Sequence, residues 1–352
     1  MGTLRRVGGR AALVATLVAT IAGCSPGNSA SLTVGSAASV STVATNASAV
    51  ARTYRDMAVG FVQAASPDGS GGADEWTQAN TASFVDAAAS LGIGLAIKPA
   101  GTVDAQVEAL NAFVADPKIN VIVLNPVSRT GYDQALKAAA SAGKKVLVER
   151  GAVSTDSSLY VARIGSDVTA EGQRAGAAMC ELLRATAAKN VVELTTSDSA
   201  TASDRNSGFK STSSECGVTM AQVQQASGLG DANTAMTAIL QHSRDVQGVF
   251  ADTDEAAIGA IHALATSGME PGRQVQVISI GASRSAFYFL ITGQLSASLE
   301  CNPVLGPQVY ARALDALNGV TPGPTWGPSQ EATFFASQGA DALWTILEAR
   351  KY

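Results

Sequence analysis

The sequence is poor in histidine and in the short motifs of common enzymes. Its 352 residues include two histidines, His242 and His262, and both fall in stretches predicted to be helical, without metal-ligand spacing. It has no Gly-x-Ser-x-Gly nucleophile elbow, and the glycines at 69–72 do not lie between a strand and a helix as in a P-loop or a dinucleotide fingerprint. We therefore expect no catalytic residue, no cofactor and no metal.

Positive charge is also scarce. The chain has 24 lysines and arginines against 29 acidic residues, which gives a formal net charge of −5 at pH 7. No basic block interrupts this balance, so we expect no nucleic-acid partner and no surface that holds a membrane by electrostatic attraction.

The N-terminal residues have the pattern of an export signal. Three arginines within the first ten residues precede a run of small, mostly apolar residues at 11–22. This run is too short for a membrane-spanning helix, which needs ~20 apolar residues, but it suits the core of a signal peptide. It ends in Ile-Ala-Gly-Cys at Cys24, which resembles the bacterial lipobox. We predict a signal peptide over 1–23 and acylation of Cys24, for example with palmitate; a plain secretory signal with an incidental cysteine is the alternative.

A flexible tether is predicted over residues 24–56. Ser, Ala, Thr, Asn and Gly dominate this stretch, and large apolar residues do not recur at helical or strand spacing. Such a segment cannot bury enough apolar surface to fold. The sequence thus predicts a folded body on the outer face of the cell membrane, held by the lipid on Cys24.

Beyond the tether, short apolar runs alternate with amphipathic stretches, twice over. The strands predicted in the first array are 57–62, 93–97, 121–124 and 145–148, with helices at 76–91, 103–114 and 131–142. The strands predicted in the second array are 159–164, 191–194, 219–223, 248–251, 275–281 and 295–300. The later helices are predicted at about 168–186, 203–214, 231–243, 256–267, 284–292, 305–317 and 338–350, with a loop at 319–328.

Two such arrays predict an α/β fold with two lobes. Apolar strands with helices between them favour parallel sheets covered on both faces, and roughly 300 residues exceed the usual single-core domain. We assign 57–159 plus about 302–330 to the N-terminal lobe, and 160–301 plus about 331–352 to the C-terminal lobe. Ligands bind beyond the carboxyl ends of the strands of such sheets, so two facing lobes make a cleft that closes about a hinge.

Three cysteines, Cys180, Cys216 and Cys301, follow Cys24. An oxidising compartment permits one disulfide. We predict a bond between Cys180 and Cys216, because both fall on neighbouring helical segments, and a free thiol at Cys301.

An ordered series of short motifs resembles the type I periplasmic sugar-binding proteins, which have the ribose-binding-protein fold, and most closely their galactofuranose-binding branch. In chain order the motifs are VGFVQ (59–63), EWTQANT (75–81), LNPV (124–127), TGY (130–132), LVER (147–150), SLY (158–160), SD (166–167), VVEL (191–194), DRNSGF (204–209), IGAI (258–261), ECNP (300–303) and GP (306–307). The resemblance covers about 57–352.

The resemblance implies a set of ligand contacts at strand ends. Position by position, these are Trp76, Glu149, Arg150, Arg205, Thr253, Asp254, Glu300 and Asn302. The sequence departs from the family pattern at Glu149, where the family usually has Asp, and at Thr253, where it usually has Asn. Thr77 and Gly281 stand where an Arg and an Asp are expected. The pocket is thus of the same kind, with a ligand that can differ from galactofuranose.

The chemistry of these residue types suits a polyol. A carboxylate accepts hydrogen bonds from adjacent hydroxyls, a guanidinium donates in a fork, and an aromatic ring covers the CH face of a sugar. Each position also has a purely structural alternative. The alternatives are a solvated surface pair for Glu149 and Arg150, a core aromatic for Trp76, an ion pair with Asp204 for Arg205, and a helix cap for Asp254.

The sequence therefore predicts a monomeric, lipid-anchored receptor of an ABC sugar importer, which captures a monosaccharide or polyol and delivers it to a permease and its ATPase. A sensory receptor for a membrane kinase or chemoreceptor is the first alternative, because either partner can recognise the same closed form. An exported carbohydrate-active enzyme, with Glu149 and Glu300 as paired carboxylates, is the second.

Overall fold

The structure is a computed structural model that describes residues 51–65, 75–196, 200–226, 228–320 and 326–352. The predicted signal peptide, Cys24 and most of the predicted tether lie outside the described residues, as do the glycines at 69–72. Within those ranges, no helix is both long enough and apolar enough to cross a membrane.

Strands and helices alternate along the chain, as the apolar pattern predicts. The strands are β1 Ala58–Ala64, β2 Gly94–Ala100, β3 Val121–Leu124, β4 Lys145–Glu149, β5 Ala162–Gly165, β6 Asn190–Thr195, β7 Thr219–Gln225, β8 Gly248–Ala251, β9 Gln276–Gly281, β10 Ala297–Glu300, β11 Trp326–Pro328 and β12 Thr333–Phe335. The helices are α1 Glu75–Leu91, α2 Val103–Ala115, α3 Asp133–Ser141, α4 Val168–Leu182, α5 Ala200–Ser213, α6 Leu229–His242, α7 Asp254–Thr266, α8 Arg284–Ile291, α9 Gly306–Leu317 and α10 Ala340–Ala349.

These strands form two six-stranded sheets, one in each lobe. The first has the order β11-β5-β4-β3-β1-β2, and the second has the order β12-β10-β9-β8-β6-β7. All neighbouring strands are parallel except β10 and β12. The predicted fold class, two doubly wound parallel-sheet lobes, is confirmed.

Both faces of each sheet are buried under helices. On β3, Val121 and Val123 join one apolar core, while Ile122 and Leu124 join another on the opposite face. All four side chains are fully buried. This is why the strand consists of apolar residues alone instead of alternating with polar ones.

Between the described strands and helices, the chain crosses from one lobe to the other at three places. It passes from β5 to α4, from β10 to α9 and from β11 to β12. The first boundary predicted from the sequence, at 159/160, is too early, because β5 pairs with β4 and belongs to the first sheet. The loop predicted at 319–328 also needs correction, because Trp326–Pro328 adds an edge strand beside β5, where a proline is tolerated.

The folded body begins before residue 57. The backbone of Arg52 forms two hydrogen bonds with the side chain of Asn318, at 2.7 and 3.0 Å. Tyr54 packs against the core of the first lobe. The end of the predicted tether is therefore part of the lobe, because these contacts fix its backbone.

A disulfide joins Cys180 on α4 to Cys216 just after α5, with the Cα atoms 5.8 Å apart. This is the pair predicted from the sequence. Cys301 is buried and is the free cysteine of the described residues. The bond lies between two helices of the second lobe that are already in close contact.

Candidate ligand-binding site

A cavity lies between the lobes, where the carboxyl ends of strands from both sheets meet. Its lining residues are Glu75, Trp76, Arg150, Arg205, Asp252, Thr253, Asp254, Glu255, Ile280, Gly281, Ser283, Cys301 and Tyr352. Trp76, Arg150, Arg205, Thr253 and Asp254 are among the residues predicted from the sequence. The structure therefore brings residues that are far apart in the chain to one place.

Trp76 and Arg150 form the first-lobe side of the cavity. The guanidinium of Arg150 stacks 4.0 Å from the centre of the Trp76 ring, and the indole N–H donates to the carbonyl of Cys301 at 2.8 Å. Arg150 has a φ of +58°, and its own N–H donates to the carbonyl of Ile164 at 2.8 Å. This left-handed backbone, uncommon for a residue other than glycine, turns the chain at the end of β4 and directs the side chain to the cavity.

Glu149 lies behind this wall, in a buried polar network. Its carboxylate accepts a hydrogen bond of 3.0 Å from Asn80, which in turn accepts one of 2.7 Å from Gln63. Burial raises the pKa of Glu149 to about 7, although the bond from Asn80 and the charge of Arg150 both lower it. The alternative of a solvated surface pair is wrong, because Glu149 is fully buried.

Arg205 is fixed on the second-lobe side. Its Nε donates to Glu171 at 2.7 Å, and its Nη1 donates to the carbonyl of Asp252 at 2.9 Å. Burial is the largest single effect and lowers the pKa of Arg205, but the neighbouring anionic groups, Glu171 foremost, together raise it above the ordinary value. The ion pair with Asp204 that the sequence suggested is wrong, because Asp204 pairs with Arg129.

Two glycines bring Glu171 and Arg205 together. A Cβ at Gly172 on α4 would lie 2.0 Å from the carbonyl oxygen of Arg205 on α5, and a Cβ at Gly208 would lie 2.1 Å from that of Thr169. The absence of side chains at these positions lets the two helix backbones touch. The helix contact therefore sets the position of the guanidinium.

Asp254 and Thr253 lie at the start of α7. Thr253 caps the helix by accepting from the N–H of Ala256 at 3.2 Å. The carboxylate of Asp254 accepts from the hydroxyls of Ser279 and Ser298 and from the N–H of Ser283, the last at 2.8 Å. It is thus held rigidly at the cavity wall, with its oxygens shared among protein donors.

The remaining two predicted residues are Glu300, which ends β10, and Asn302, which lies in the crossing between β10 and α9. Glu300 pairs with Arg350 at 2.9 Å and accepts a hydrogen bond from the hydroxyl of Tyr352. Asn302 accepts from the N–H of Val304 at 2.9 Å. Both side chains hold the crossing segments together, and the cavity wall at this place is formed by Cys301 and Tyr352.

Eight of the thirteen wall residues are not among the residues predicted from the sequence, and three of these are Asp252, Cys301 and Tyr352. Asp252 directly follows β8. The end of this strand, which indicates the place of Thr253, therefore indicates the place of Asp252 as well. It is buried, and burial raises its pKa, while Arg205 lowers it. No local signal pointed to Cys301 or Tyr352, because their place depends on the crossing segments.

Polar contacts join the lobes beside the cavity. Glu75 on α1 accepts hydrogen bonds from Ser285 on α8, and Arg129 in the first lobe pairs with Asp204 in the second. The lobes are therefore closed on each other in this structure.

Comparisons with known proteins agree with this architecture. The model of the periplasmic binding protein domain matches residues 69–319. The galactofuranose-binding protein YtfQ of Escherichia coli (strain K12) is 28% identical over 270 residues, which cover 74% of this chain and 81% of YtfQ. The fructose import binding protein FruE of Bifidobacterium longum (strain NCC 2705) is 29% identical over 281 residues, which cover 75% of this chain and 80% of FruE.

A solved structure from Mycobacterium smegmatis, in complex with β-D-fucofuranose, superposes with a TM-score of 0.75 at 28% identity and covers 83% of this chain and 97% of that one. The relatives are binding proteins and not enzymes. The chain thus belongs to the periplasmic binding protein family, has its two-lobed type I fold, and is not an enzyme.

Proposed function

We propose that the chain binds a monosaccharide of the galactofuranose type, or a related polyol, between its lobes, and is the receptor of an ABC importer. One observation carries the proposal. Arg150 Nε and Asp252 Oδ1 are buried, belong to residues of the cavity wall and have no hydrogen-bond partner among the described residues. A hydroxyl accepts from the first and donates to the second, so a ligand with several hydroxyls satisfies both.

Charge and shape support the same class of ligand. Arg150, Arg205, Asp252 and Asp254 put cationic and anionic groups in one enclosed space, which suits a neutral molecule that both donates and accepts. The rings of Trp76 and Tyr352 offer apolar surface for CH groups.

The relatives support a furanose and an import role. YtfQ is named for galactofuranose, FruE is named for fructose import, and the Mycobacterium smegmatis structure contains fucofuranose. Binding would stabilise the closed arrangement, and the closed form would dock on the permease.

Anchoring through Cys24 fits this role. A lipid anchor keeps a receptor at high effective concentration near its permease. Labelling of the cells with an alkyne analogue of palmitate tests it: the wild-type chain should incorporate the label and the Cys24→Ala variant should not. Labelling of both, or of neither, would contradict the anchor.

A thermal-shift screen of the purified protein against pentoses, hexoses and sugar alcohols tests the ligand class. Calorimetry then measures the Kd of each compound that raises the melting temperature. A true ligand raises the melting temperature in step with its concentration over its Kd. A protein that responds to none of these compounds would contradict sugar binding.

Uptake measurements separate import from sensing. Cells that lack the gene should lose uptake of the labelled sugar that the screen identifies. Unchanged uptake, with loss of a transcriptional response to that sugar, would instead favour the sensory role.

A further inference from the structure

The segment after α10 returns to the cavity and closes one side of it. Tyr352 is half-buried and lines the cavity. It also lines a second depression, which we call the outer groove, formed by Ala79, Ala82 and Ser83 of α1 together with Val304, Pro307 and Lys351 among others. The ring of Tyr352 therefore stands between the cavity and the outer groove.

The position of this ring is fixed. The hydroxyl of Tyr352 donates to Glu300, and the guanidinium of Arg350 lies 4.2 Å from the ring centre. Arg350 is held in turn by its ion pair with Glu300, at 2.9 Å, and lies 5.1 Å from the ring centre of Phe287. A side chain restrained at its tip and across one face is a rigid wall, since moving it breaks several contacts together.

The two sides of the ring differ in character. On the cavity side are charged groups, including Arg150 and Arg205. On the groove side are mostly small side chains, which leave room next to the ring. The polar side chains of the groove are Ser83, Asp86, Ser90 and Lys351, and the other residues that line it with Tyr352 are apolar, so the groove has room for a substituent on a sugar.

We propose that Tyr352 is a specificity-determining residue that limits the ligand to a single unsubstituted sugar ring. This inference rests on the proposed function, since it assigns a size limit to the same site. A substituent on the side of the sugar that faces Tyr352 would meet the aromatic ring, whereas without the ring it would extend into the outer groove. Glu300 is a positioning residue in this arrangement, because it holds Tyr352 and Arg350.

Calorimetric titration with D-galactose and D-fructose, each compared with its methyl furanoside, tests the inference. The full-length protein should prefer the free sugar to the glycoside by at least about tenfold, because the ring excludes the added group. Tyr352→Ala should reduce that preference by at least about fivefold. Tyr352→Phe keeps the ring and should keep the preference.

The Tyr288→Ala variant is the matched control, because Tyr288 is an exposed tyrosine on α8, away from the cavity wall. If Tyr352→Ala does not fold, Tyr352→Leu provides the truncated ring. If a folded Tyr352→Ala or Tyr352→Leu variant prefers the free sugar to its glycoside as strongly as the wild type does, this inference alone is overturned. A wild-type protein that binds none of the pentoses, hexoses and sugar alcohols of the thermal-shift screen would overturn the proposed function and this inference with it.

Discussion

The guanidinium of Arg150 lies 4.0 Å from the ring centre of Trp76, in the wall of the cavity between the lobes. A stack of this kind contributes only about 0.5–1 kcal/mol where it is partly exposed. Arg150→Ala should therefore leave the melting temperature of the ligand-free protein nearly unchanged. It should abolish the rise in melting temperature that sugar causes, because the donors at this side of the ligand are lost.

Arg273 supplies the control for this variant, since it is a strongly exposed arginine whose only described ion pair is with Glu270. Arg273→Ala should respond to sugar like the wild type. A normal sugar response of Arg150→Ala would show that Arg150 is not a ligand contact.

The stability of the protein should depend on pH through Glu149. Burial raises its pKa from 4.5 to about 7, so the folded chain holds this proton more tightly than the unfolded chain does. The free energy of unfolding therefore falls as pH rises from about 4.5 to about 7, and it falls no further through this group above that range. This contribution amounts to about 3 kcal/mol at most.

Glu149→Gln isolates that contribution, because the amide is neutral at every pH and its oxygen can still accept from Asn80. In urea titrations, the variant should gain stability relative to the wild type between pH 4.5 and pH 7. If the free energies of unfolding of the wild type and of Glu149→Gln change in parallel with pH over this range, the pKa of Glu149 is not raised in the folded protein.

The sequence predicts the central strands well, because their burial requires uninterrupted apolar runs. β3 and β8 have the predicted bounds, Val121–Leu124 and Gly248–Ala251. The edge strands β11 and β12 are three residues each and contain Pro328 and Phe335, so neither periodicity nor length distinguishes them from loops. Their pairing depends on the crossing segments between the lobes.

The candidate site is predictable only in part, for the same reason. Glu149 ends β4, Arg150 directly follows it, and Thr253 is the second residue after β8, so the strand ends indicate their place. Tyr352 lines the same cavity as Trp76 because α10 and the crossing segments bring the chain back to it, which no local pattern indicates. Glu300 illustrates the limit: the resemblance implies a ligand contact, whereas the structure pairs it with Arg350 and Tyr352.

Gly281 should not tolerate a side chain. Its φ is +151°, and a Cβ there would lie 2.3 Å from Oδ2 of Asp254. Gly281→Ala should thus lower the free energy of unfolding by about 2 kcal/mol or more and weaken sugar binding, because Asp254 must move. Gly217→Ala is the control: its φ is +79° with open space around it, so the change should cost only about 1 kcal/mol.

Urea unfolding of both variants measures the difference. Equal losses of stability would mean that backbone strain alone decides the cost and that Asp254 does not fill the space above Gly281.

The ion pair between Arg129 and Asp204 should favour the closed form. The two side chains are 38% and 33% exposed, so solvent and salt screen their attraction. Such pairs contribute about 0.2–1 kcal/mol, and Asp204→Ala should therefore raise the Kd for sugar by no more than about fivefold. The effect should shrink at high ionic strength.

A double-mutant cycle isolates this pair. Once Asp204 is replaced, Arg129→Ala should have little further effect on the Kd. Additive losses would show that the two residues act independently and do not hold the lobes closed.

The thiol of Cys301 should report closure of the cleft. Cys301 is 2% exposed, lies in the cavity wall, and is the free cysteine of the described residues, since Cys180 and Cys216 are bonded. Burial, reinforced by the charge of Glu171, raises the pKa of this thiol to about 12, so little reactive thiolate exists near neutral pH. Iodoacetamide at pH 8 should label the folded protein at least about tenfold more slowly than the protein in urea.

Sugar should slow this labelling further, because opening of the lobes exposes the thiol and a bound ligand makes opening rarer. Mass spectrometry of the intact protein measures the rate of labelling with and without sugar. The Cys301→Ser variant serves as the blank. A rate that does not change at saturating sugar would mean that the reagent reaches Cys301 without separation of the lobes.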